Sequence, residues 1–439
     1  MIKVVKFGGT SLASAKQFEK VLKIIQKDEG RTLVVPSAPG RRTPNDRKVT
    51  DMLYNCHALA LSGQGFAEEL SNIKSRFDDI ISGLGLHLSL DEEFEKIKNK
   101  LDECGDSDYT ASRGEYLNGL ILAAYLEFPF LDAKDLVIFN DNKELEVDET
   151  NHRLKEALRR NQKAVIPGFY GAKRNGEIVT FSRGGSDITG SLIAKAVNAD
   201  MYENWTDVSG FLIADPAVVN NPKSIDVLTY RELRELSYMG AGVLHEASIF
   251  PVRKEGIPIN IRNTNSPDDK GTLIVESTCR QPRFTITGIA GKRDFASITI
   301  EKAMMNSEIG FCKRVLEVFE DNHISIEHMP SGIDTMTIFV HKDEFEENEQ
   351  KVIAGIHRAV SPDMVELESD LALVAVVGRG MKSTRGTSGR IFSALAHANV
   401  NVKMIDQGSS ELNIIIGVRN NDFETAIRAI YDIFVSTQI

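Results

Sequence analysis

The sequence lacks the features that would place the protein in a membrane, in an oxidising compartment or on a nucleic acid. Its 439 residues include four cysteines without CxxC spacing, Cys56, Cys104, Cys279 and Cys312. Free thiols in a reducing compartment therefore fit better than disulfides or a zinc site. No apolar run approaches the roughly 18 residues that span a bilayer, and no signal-peptide pattern follows Met1. A net charge of −11 argues against general affinity for nucleic acid. We expect a cytoplasmic protein.

Common signatures of metal and nucleotide chemistry are missing as well. None of the nine histidines has an HExxH or comparable spacing, so we assign no histidine a catalytic role and expect no protein-bound metal. The Gly-Lys-Ser/Thr order of a Walker loop is absent. Gly378-Arg379-Gly380 resembles the start of a dinucleotide fingerprint, but the third glycine would fall at Ser383. We interpret this segment as a turn.

The first part of the chain alternates strand and helix patterns. The composition, 42% hydrophobic and 26% charged, is that of a globular protein, and the length suggests two or three domains. Apolar runs that predict strands lie at 4–7, 32–35, 136–139, 164–167, 201–205 and 257–261. Alternation of this kind favours an α/β domain with a mainly parallel sheet and helices on both faces.

The chain after residue 280 contains an internal repeat. Gly310 and Gly386 each open a helical pattern, and the strand-like runs 323–326 and 399–402 follow with the same offset of 76 positions. Self-similarity at this period indicates two copies of a βαββαβ unit. Because the second copy lacks a fourth strand, we predict that the alternating segment 284–289 completes it. The predicted domains are 1–280, then 296–369 as the first copy, with 284–295 and 370–439 forming the second.

The strongest motif is Lys6-Phe7-Gly8-Gly9-Thr10-Ser11, between a predicted strand and a predicted helix. Glycines there let successive backbone N–H groups face phosphate oxygens, and the helix N-terminus adds partial positive charge. Lys6 can neutralise charge that develops during phosphoryl transfer. The alternative is a tight turn with a surface lysine.

Two further polar segments follow predicted strands. In Thr180-Phe181-Ser182-Arg183-Gly184-Gly185-Ser186-Asp187, a second glycine-rich loop precedes an apolar helix. This loop could approach the phosphates from the other side, or Arg183 and Asp187 could form only a local ion pair. Trp205-Thr206-Asp207-Val208 and then Asp215-Pro216 would form a wall for the nucleoside.

Together with Ser112-Arg113-Gly114-Glu115, this ordered set of motifs resembles the aspartate kinase family, and the tail resembles tandem ACT domains. The resemblance implies a three-layer α/β/α amino-acid kinase domain and two ferredoxin-like ACT domains. It implies transfer of the γ-phosphate of ATP, bound with Mg²⁺, to the side-chain carboxylate of L-aspartate. That reaction begins lysine, threonine and methionine biosynthesis. We expect a monofunctional enzyme, without the homoserine dehydrogenase fused to some relatives.

The resemblance also implies roles for individual residues. Lys6 would stabilise the γ-phosphoryl group, and Asp187 would organise Lys6 and the metal-bound phosphates. Glu115 would bind the α-ammonium of aspartate and Arg183 its α-carboxylate, with Ser37 and Thr50 also contacting this substrate. The implied ATP-binding residues are Lys6, Gly8, Gly9, Thr10, Gly184, Gly185, Thr206, Asp207 and Asp215.

These roles suit an anion-on-anion reaction. The accepting carboxylate, with a reference pKa of about 3.9, is already ionised at neutral pH, so cations and positioning matter more than a general base. Two cations that many relatives direct to the ATP phosphates are missing, because Ala217 and Gly242 occupy their positions. Lys223 and Arg231 are candidate substitutes.

ACT domains bind amino acids at interfaces between copies, so the resemblance also implies an effector site and a homodimer or homotetramer. The implied effector residues are Met305, Glu308, Gly310, Phe311, Glu327 and Ser331. Their two carboxylates suit the side-chain ammonium of lysine, with threonine as the second choice, although both could be solvated surface charges. Two other functions remain open: another kinase of the superfamily, or a catalytically inactive amino-acid sensor.

Overall fold

The computed structural model describes residues 1–103, 105–182, 184–242, 244, 249–279 and 282–436. Their packing divides the chain into two compact units. The first comprises Met1–Phe211, Ser224–Tyr230 and Val243–Thr278. The second comprises Leu212–Lys223, Arg231–Gly242 and Cys279–Ile439. Two segments from within the predicted catalytic region therefore pack with the C-terminal part of the chain.

The first unit is built on a mainly parallel sheet, as predicted. Its described strands are β1 (Lys3–Phe7), β2 (Arg31–Pro36), β3 (Ile138–Phe139), β4 (Ala164–Val165), β5 (Tyr170–Lys173), β6 (Ile178–Thr180), β7 (Met201–Thr206), β8 (Val227–Thr229), β9 (Ile259–Asn263) and β10 (Thr272–Val275). Seven of these form a sheet in the order β4-β2-β1-β7-β9-β10-β8, in which only β9 and β10 pair antiparallel. The strands β3, β5 and β6 form a smaller sheet.

Helices connect these strands and cover their apolar residues. The described α-helices that begin in the first unit are α1 (Ala15–Gln26), α2 (Val49–Leu61), α3 (Ala67–Gly83), α4 (Asp91–Asp102), α5 (Ser107–Leu126), α6 (Val147–Arg160), α7 (Gly185–Ala196), α8 (Tyr230–Tyr238) and α9 (Phe250–Lys254). Short 3₁₀ helices occupy Gly9–Leu12 and Ala133–Asp135. In α1, Phe18, Val21 and Ile25 repeat at helical spacing and are buried, which is the pattern of a helix packed on a core through one face.

Helix α5 is unusual because it is buried on nearly every side. Asp106 caps its N-terminus by accepting a 3.1 Å hydrogen bond from the Asp108 N–H, and Glu127 ends it in a left-handed conformation. Arg113 is buried near the middle of the helix, with its guanidinium 4.6 Å from the Tyr109 ring centroid and 4.3 Å from that of Tyr116. Aromatic faces thus stabilise this cation inside the unit.

The second unit contains one antiparallel sheet. Its described strands are β11 (Gly288–Glu301), β12 (Ile326–His328), β13 (Thr335–His341), β14 (Met364–Val377), β15 (Met404–Asp406) and β16 (Asn413–Arg419). They lie in the order β12-β13-β11-β14-β16-β15. The helices are α10 (Phe311–Asp321), α11 (Lys342–Glu346), α12 (Glu349–Val360), α13 (Thr387–His397) and α14 (Phe423–Tyr431), with 3₁₀ helices at Met305–Ser307, Met381–Ser383 and Asn420–Asp422 and a π-helix at Asp432–Ser436.

The two repeats share their central strands. In β11, Gly288–Lys292 pairs with the part of β14 that also pairs with β16, whereas Phe295–Glu301 pairs with β13. The predicted domain limits place the first copy between two segments of the second copy, and that arrangement requires this pairing. The strand begins at Gly288, however, so most of the segment predicted at 284–289 is not a strand. The domain boundaries themselves stay predictions.

The Gly378-Arg379-Gly380 segment lies in the second unit and contains a turn. The Arg379 guanidinium lies 2.9 Å from the carboxylate of Glu232 on α8, which is completely buried. Thr287 Oγ1 also donates a 2.5 Å hydrogen bond to that carboxylate. The turn therefore fixes α8 to the sheet of the second unit. Within the part of the chain described above, every helix is too short or too polar to span a membrane.

Candidate active site and effector region

Lys6 and Asp187 form a largely buried ion pair near the carboxyl ends of the central strands of the parallel sheet. Lys6 Nζ lies 2.6 Å from Asp187 Oδ1. The amide of Asn204 donates a 2.9 Å hydrogen bond to the same carboxylate oxygen and accepts a 3.5 Å hydrogen bond from Lys6. These three residues hold a fixed cation in a region with little access to water, where its charge acts strongly on a nearby anion.

Strand register explains this arrangement. Lys6 in β1 is paired with Asn204 in β7, so both side chains lie at the same level of the sheet. Asp187 is in the first turn of α7, where a carboxylate is favoured by the partial positive charge of the helix N-terminus. Sequence positions 6, 187 and 204 are thus brought together by one strand pairing and one helix start.

The glycine-rich loop after β1 packs backbone against backbone. A Cβ atom on Gly9 would lie 2.8 Å from the carbonyl oxygen of Ala38, and one on Gly40 would lie 2.6 Å from the backbone nitrogen of Thr10. Gly40 N–H donates a 2.8 Å hydrogen bond to Gly9. A Cβ on Gly8 would instead occupy the space between Lys6 Nζ, at 3.8 Å, and Thr206 Oγ1, at 4.0 Å. Gly8 therefore keeps open a space beside the Lys6 ammonium that can accept phosphate oxygens.

The second glycine-rich loop leads into α7. Gly184 has φ of +61°, a left-handed conformation that glycine adopts readily, and it caps this helix. A Cβ on Gly185 would lie 2.7 Å from Phe169. Both glycines are thus required by local backbone geometry. Arg183, predicted to bind the α-carboxylate, lies outside the described residues.

Glu115 is a buried carboxyl group of the first unit. Its residue is 5% exposed, and its Oε2 atom has no hydrogen-bond partner among the described residues. Burial raises the pKa of Glu115 to about 8, against the opposing effects of the Ala38 and Glu115 backbone N–H groups and of the charges on Lys6 and Arg113. A buried carboxyl group with an unsatisfied oxygen is suited to binding a cation from a ligand.

The other predicted aspartate contacts surround this region of the first unit. Ser37 follows β2, and its N–H donates a 3.0 Å hydrogen bond to the carbonyl of Phe7. The Ser37 carbonyl accepts a 2.7 Å hydrogen bond from the Asn118 side chain of α5. Thr50 is half-buried in the first turn of α2.

The predicted nucleoside contacts fall in both units. Thr206 ends β7, and its hydroxyl donates a 3.2 Å hydrogen bond to Asp207, which is exposed. Asp215 belongs to the second unit, where its carboxylate accepts a 2.8 Å hydrogen bond from the Ala217 N–H. Lys223, a candidate replacement for a missing cation, also belongs to the second unit, and its ammonium donates a 3.4 Å hydrogen bond to Val435.

Two asparagines of this region were not predicted. Asn204 lies in a buried strand, and Asn118 lies one helical turn after Glu115. An amide among apolar residues was the available signal for Asn118, whereas Asn204 stands beside the charged Glu203 in its strand. Their importance depends on which distant residues they meet, and the local pattern does not contain that information.

The predicted effector residues of the first repeat cluster around the start of α10. Gly310 caps this helix with φ of +81°, followed by buried Phe311, while Met305 begins the preceding 3₁₀ helix and is buried. The Glu308 carboxylate is ion-paired with Lys302 at 2.6 Å and with Arg314. The hydrogen bond from Lys302 chiefly holds the pKa of Glu308 below its usual range.

Glu327 lies in β12, and Ser331 follows that strand. The Tyr238 hydroxyl donates a 2.7 Å hydrogen bond to Glu327, and His341 Nε2 lies 3.4 Å from the same carboxylate. Ser331 lines a cavity of about 340 Å³ with neighbours that include Thr337. Both predicted effector carboxylates therefore already have partners within the chain.

Comparison with known proteins agrees with these features. The amino acid kinase family model matches residues 1–263, and an ACT domain model matches residues 374–434. The chain is 39% identical to aspartokinase 3 of Bacillus subtilis, over 99% of this chain and 98% of that protein.

Solved structures extend the comparison. The crystal structure of Clostridium acetobutylicum aspartate kinase has 50% identity and a TM-score of 0.93, with 99% of this chain and 100% of that chain covered. Escherichia coli aspartokinase III in complex with aspartate and ADP shares the fold at 24% identity, with a TM-score of 0.76 and 99% of each chain covered. The chain belongs to the aspartokinases, phosphotransferases of the amino acid kinase family that carry a C-terminal ACT region.

Proposed function

We propose that this chain transfers the γ-phosphate of ATP to the side-chain carboxylate of L-aspartate and produces 4-phospho-L-aspartate. The main support is the pairing of a buried, unsatisfied carboxyl group, Glu115, with a buried cation, Lys6, whose charge acts on it. The carboxyl group would bind the α-ammonium of an amino acid, and the cation would stabilise the phosphoryl group during transfer. The names of the similar enzymes from B. subtilis and C. acetobutylicum agree with this reaction.

The chemistry requires positioning and charge more than proton transfer. The aspartate carboxylate is a ready nucleophile at neutral pH, and its approach to the γ-phosphate brings two anions together. Lys6, held by Asp187 and Asn204, offsets the charge that develops on the phosphoryl oxygens. The Gly8 N–H donates a 2.9 Å hydrogen bond to the Trp205 carbonyl, so the backbone N–H groups of Gly9 and Thr10 would be the ones that orient the phosphate chain.

Mg²⁺ is expected to accompany ATP. The carboxylate of Asp187 offers the hard oxygen ligand that Mg²⁺ prefers, and the space that a Gly8 Cβ would fill lies beside the Lys6 ammonium. When bound, the metal would supply positive charge that offsets the negative charge of the phosphates. Asp187 would hold it directly or through water, while Lys6 and the loop amides hold the phosphates.

Aspartate would bind with its α-ammonium at Glu115 and its α-carboxylate at Arg183. Ser37 and Thr50 would complete the substrate contacts, and Gly184, Gly185, Thr206, Asp207 and Asp215 would contact ATP. Glu115 must be ionised to bind an ammonium, so substrate binding and deprotonation of this carboxyl group are coupled.

The ACT region would make the enzyme allosteric, with lysine as the inhibitor and threonine as a second candidate. The description of the C. acetobutylicum enzyme as allosteric supports regulation, and E. coli aspartokinase III has been crystallised with lysine and aspartate. Glu327 would receive the lysine side-chain ammonium by exchanging its Tyr238 partner. Glu308, paired with two cations, would contribute less than its charge suggests. A homodimer or homotetramer formed through the ACT region, and a cytoplasmic location, complete the proposal.

Replacing Lys6 tests the catalytic proposal. We expect Lys6→Ala to lower kcat for aspartate-dependent ADP formation by roughly 10²–10³, since removal of one electrostatic group of this kind has that effect. Lys98→Ala, on the exposed face of α4, is the matched control and should leave kcat unchanged. Near-normal turnover of Lys6→Ala, or phosphorylation of another amino acid in preference to aspartate, would refute the proposal.

The regulatory part needs its own measurement. Inhibition curves with lysine, threonine and both together, at saturating ATP and varied aspartate, would identify the effector. We expect inhibition by millimolar lysine. Unchanged activity with lysine would exclude this assignment and leave the catalytic proposal intact.

A further inference from the structure

Helix α5 carries two buried hydrogen-bond acceptors that have no donor among the described residues. These atoms are Glu115 Oε2 and Asn118 Oδ1, and their residues are 5% and 0% exposed. Because the residues are three positions apart on a helix, their side chains share one face. Buried acceptors in folded proteins nearly always have donors. A neighbouring pair without them indicates that a donor from outside the chain belongs there.

One hydrogen bond fixes the orientation of the Asn118 side chain. Its Nδ2 donates to the Ser37 carbonyl at 2.7 Å, so the amide cannot be turned over without placing two oxygens against each other. The N–H of the same peptide unit, that of Ala38, acts on the Glu115 carboxyl group. Both side chains therefore contact the Ser37–Ala38 peptide after β2, Asn118 at its carbonyl and Glu115 at its N–H.

The cations that influence Glu115 are already engaged elsewhere. Lys6 Nζ is 2.6 Å from Asp187, and the Arg113 guanidinium donates to Ser112 Oγ at 2.9 Å while contacting aromatic rings. Neither is a hydrogen-bond donor to the two open acceptors. An ammonium group has three N–H donors and no acceptor, so it can satisfy two oxygens at once and leave a third donor for another contact. Its positive charge also suits the ionised form of Glu115.

We propose that Asn118 is a specificity residue of the aspartate site, receiving the substrate α-ammonium at Oδ1 together with Glu115 while its Nδ2 positions Ser37. This inference rests on the proposed function and assigns Asn118 a role in it. Glu115 alone attracts any cation. The added neutral acceptor, held in one orientation, selects a donor with several N–H groups and therefore a primary amine.

Steady-state kinetics of three variants of the full chain test the proposal. Asn118→Ala removes both contacts, whereas Asn118→Asp keeps an acceptor oxygen at the same place. We expect Asn118→Ala to raise KM for aspartate about tenfold, because a hydrogen bond from a charged donor is lost, and to leave KM for ATP within twofold. Asn118→Asp also loses the hydrogen bond to Ser37 but keeps the acceptor oxygen, so its KM for aspartate should rise less than that of Asn118→Ala. Asn151→Ala removes a buried amide oxygen of α6 that also lacks a partner among the described residues, and should change neither constant.

Two results would overturn the proposal. One is an aspartate KM within twofold of the wild type in Asn118→Ala, which would mean that water alone satisfies the oxygen. The other is equal impairment of Asn118→Asp and Asn118→Ala, which would mean that the residue acts only through Ser37. Circular dichroism shows whether each variant is folded. If Asn118→Ala is not folded, Asn118→Ser is measured in its place under the same criteria. A wild-type protein without aspartate-dependent ADP formation would refute the proposed function instead.

Discussion

The hydroxyl of Tyr238, at the end of α8, donates a 2.7 Å hydrogen bond to Glu327 on β12. Glu327 is the carboxylate to which the proposed effector ammonium would bind. The same helix carries Glu232, paired with Arg379, and Glu235, which accepts a 2.6 Å hydrogen bond from Asn413. Helix α8 is therefore held to the antiparallel sheet at three successive turns, and only the last of these contacts involves a predicted effector residue.

Tyr238→Phe should increase sensitivity to lysine. The substitution removes the phenol that competes for Glu327 and keeps the ring, so the lysine concentration for half-inhibition should fall roughly five- to tenfold, as expected for loss of one hydrogen bond to a charged group. Inhibition curves at fixed aspartate and ATP measure this. Tyr125→Phe, at a half-buried tyrosine of the first unit, should show the wild-type curve. An unchanged or weaker response in Tyr238→Phe would contradict competition at Glu327.

The affinity for aspartate should depend on pH through Glu115. In the free enzyme burial raises the pKa of this group to about 8, so most molecules are protonated at pH 7. An ammonium binds the ionised form, so binding below pH 8 must release one proton. KM for aspartate should therefore fall by up to about tenfold per unit as pH rises from 6 towards 8, while KM for ATP stays level. A pH-independent aspartate KM over this interval would show that Glu115 is ionised before substrate arrives.

Glu115→Gln should stabilise the fold while abolishing aspartate binding. The folded-state pKa of about 8 lies above the ordinary value of 4.5, so the folded protein loses stability as pH rises between these values. Glutamine stays neutral, and the variant should be more stable than the wild type by about 1–3 kcal/mol at pH 8, with no difference near pH 4.5. Urea denaturation at both pH values measures this.

Glu149 is a control for the Glu115→Gln experiment, because its pKa is lowered and not raised. The hydrogen bond from Arg153 chiefly lowers the pKa of this exposed carboxylate. Glu149→Gln should therefore give no stabilisation at pH 8. If Glu115→Gln were less stable than the wild type at pH 8, the carboxylate would be making favourable contacts that its geometry does not show.

Gly40→Ala should weaken ATP binding indirectly, through the backbone of Gly9 and Thr10. A Cβ at this position would lie 2.6 Å from both Gly9 C and Thr10 N, and backbone atoms cannot turn aside as a flexible side chain can. The Gly8–Thr10 turn would have to move. We expect kcat/KM for ATP to fall by at least about tenfold, since small displacements of positioning groups have effects of this order or larger. Gly65→Ala, where no atom lies within 4 Å of the added Cβ, is the control. Equal kinetics for the two variants would show that the loop has room to adjust.

Arg379→Met should destabilise the second unit. It removes the guanidinium that faces the completely buried Glu232, and loss of one partner of a buried pair costs about 3–5 kcal/mol. Thermal unfolding should show a lower transition temperature, and the double variant Arg379→Met with Glu232→Gln should recover part of it. Arg385→Met, at an exposed position, should leave the transition unchanged. Full stability of Arg379→Met would indicate that Glu232 is neutral in the folded protein.

The sequence predicted the sheets better than the side-chain partnerships. Strands β1, β2 and β7 appear where apolar runs indicated them, because buried parallel strands require such runs whatever surrounds them. Asn204 could not be predicted, since its role depends on pairing between strands almost 200 positions apart. The resemblance at 112–115 assigned a substrate role to Glu115 and said nothing about how the neighbouring Arg113 is held. Only packing shows that aromatic rings hold Arg113, whereas Glu115 keeps an unsatisfied oxygen.

Domain limits were also difficult to infer from the chain. Segments Leu212–Lys223 and Arg231–Gly242 lie within the region that resembles the kinase, yet they pack with the C-terminal unit. Contacts between side chains far apart in the sequence, such as that between Glu232 and Arg379, place these segments in the second unit. The local periodicity of a sequence does not reveal such contacts.

The shared strands of the C-terminal sheet limit how the enzyme can be re-engineered. Because β11 and β14 each extend through both repeats, a cut between the repeats would sever two continuous strands and leave both fragments with exposed sheet edges. Chimeras that exchange one repeat for a homologue should therefore misfold or aggregate. The whole tail should instead be exchanged together with α8 and the other segments that pack on it. This exchange keeps both long strands intact and offers the practical route to an enzyme with a different feedback signal.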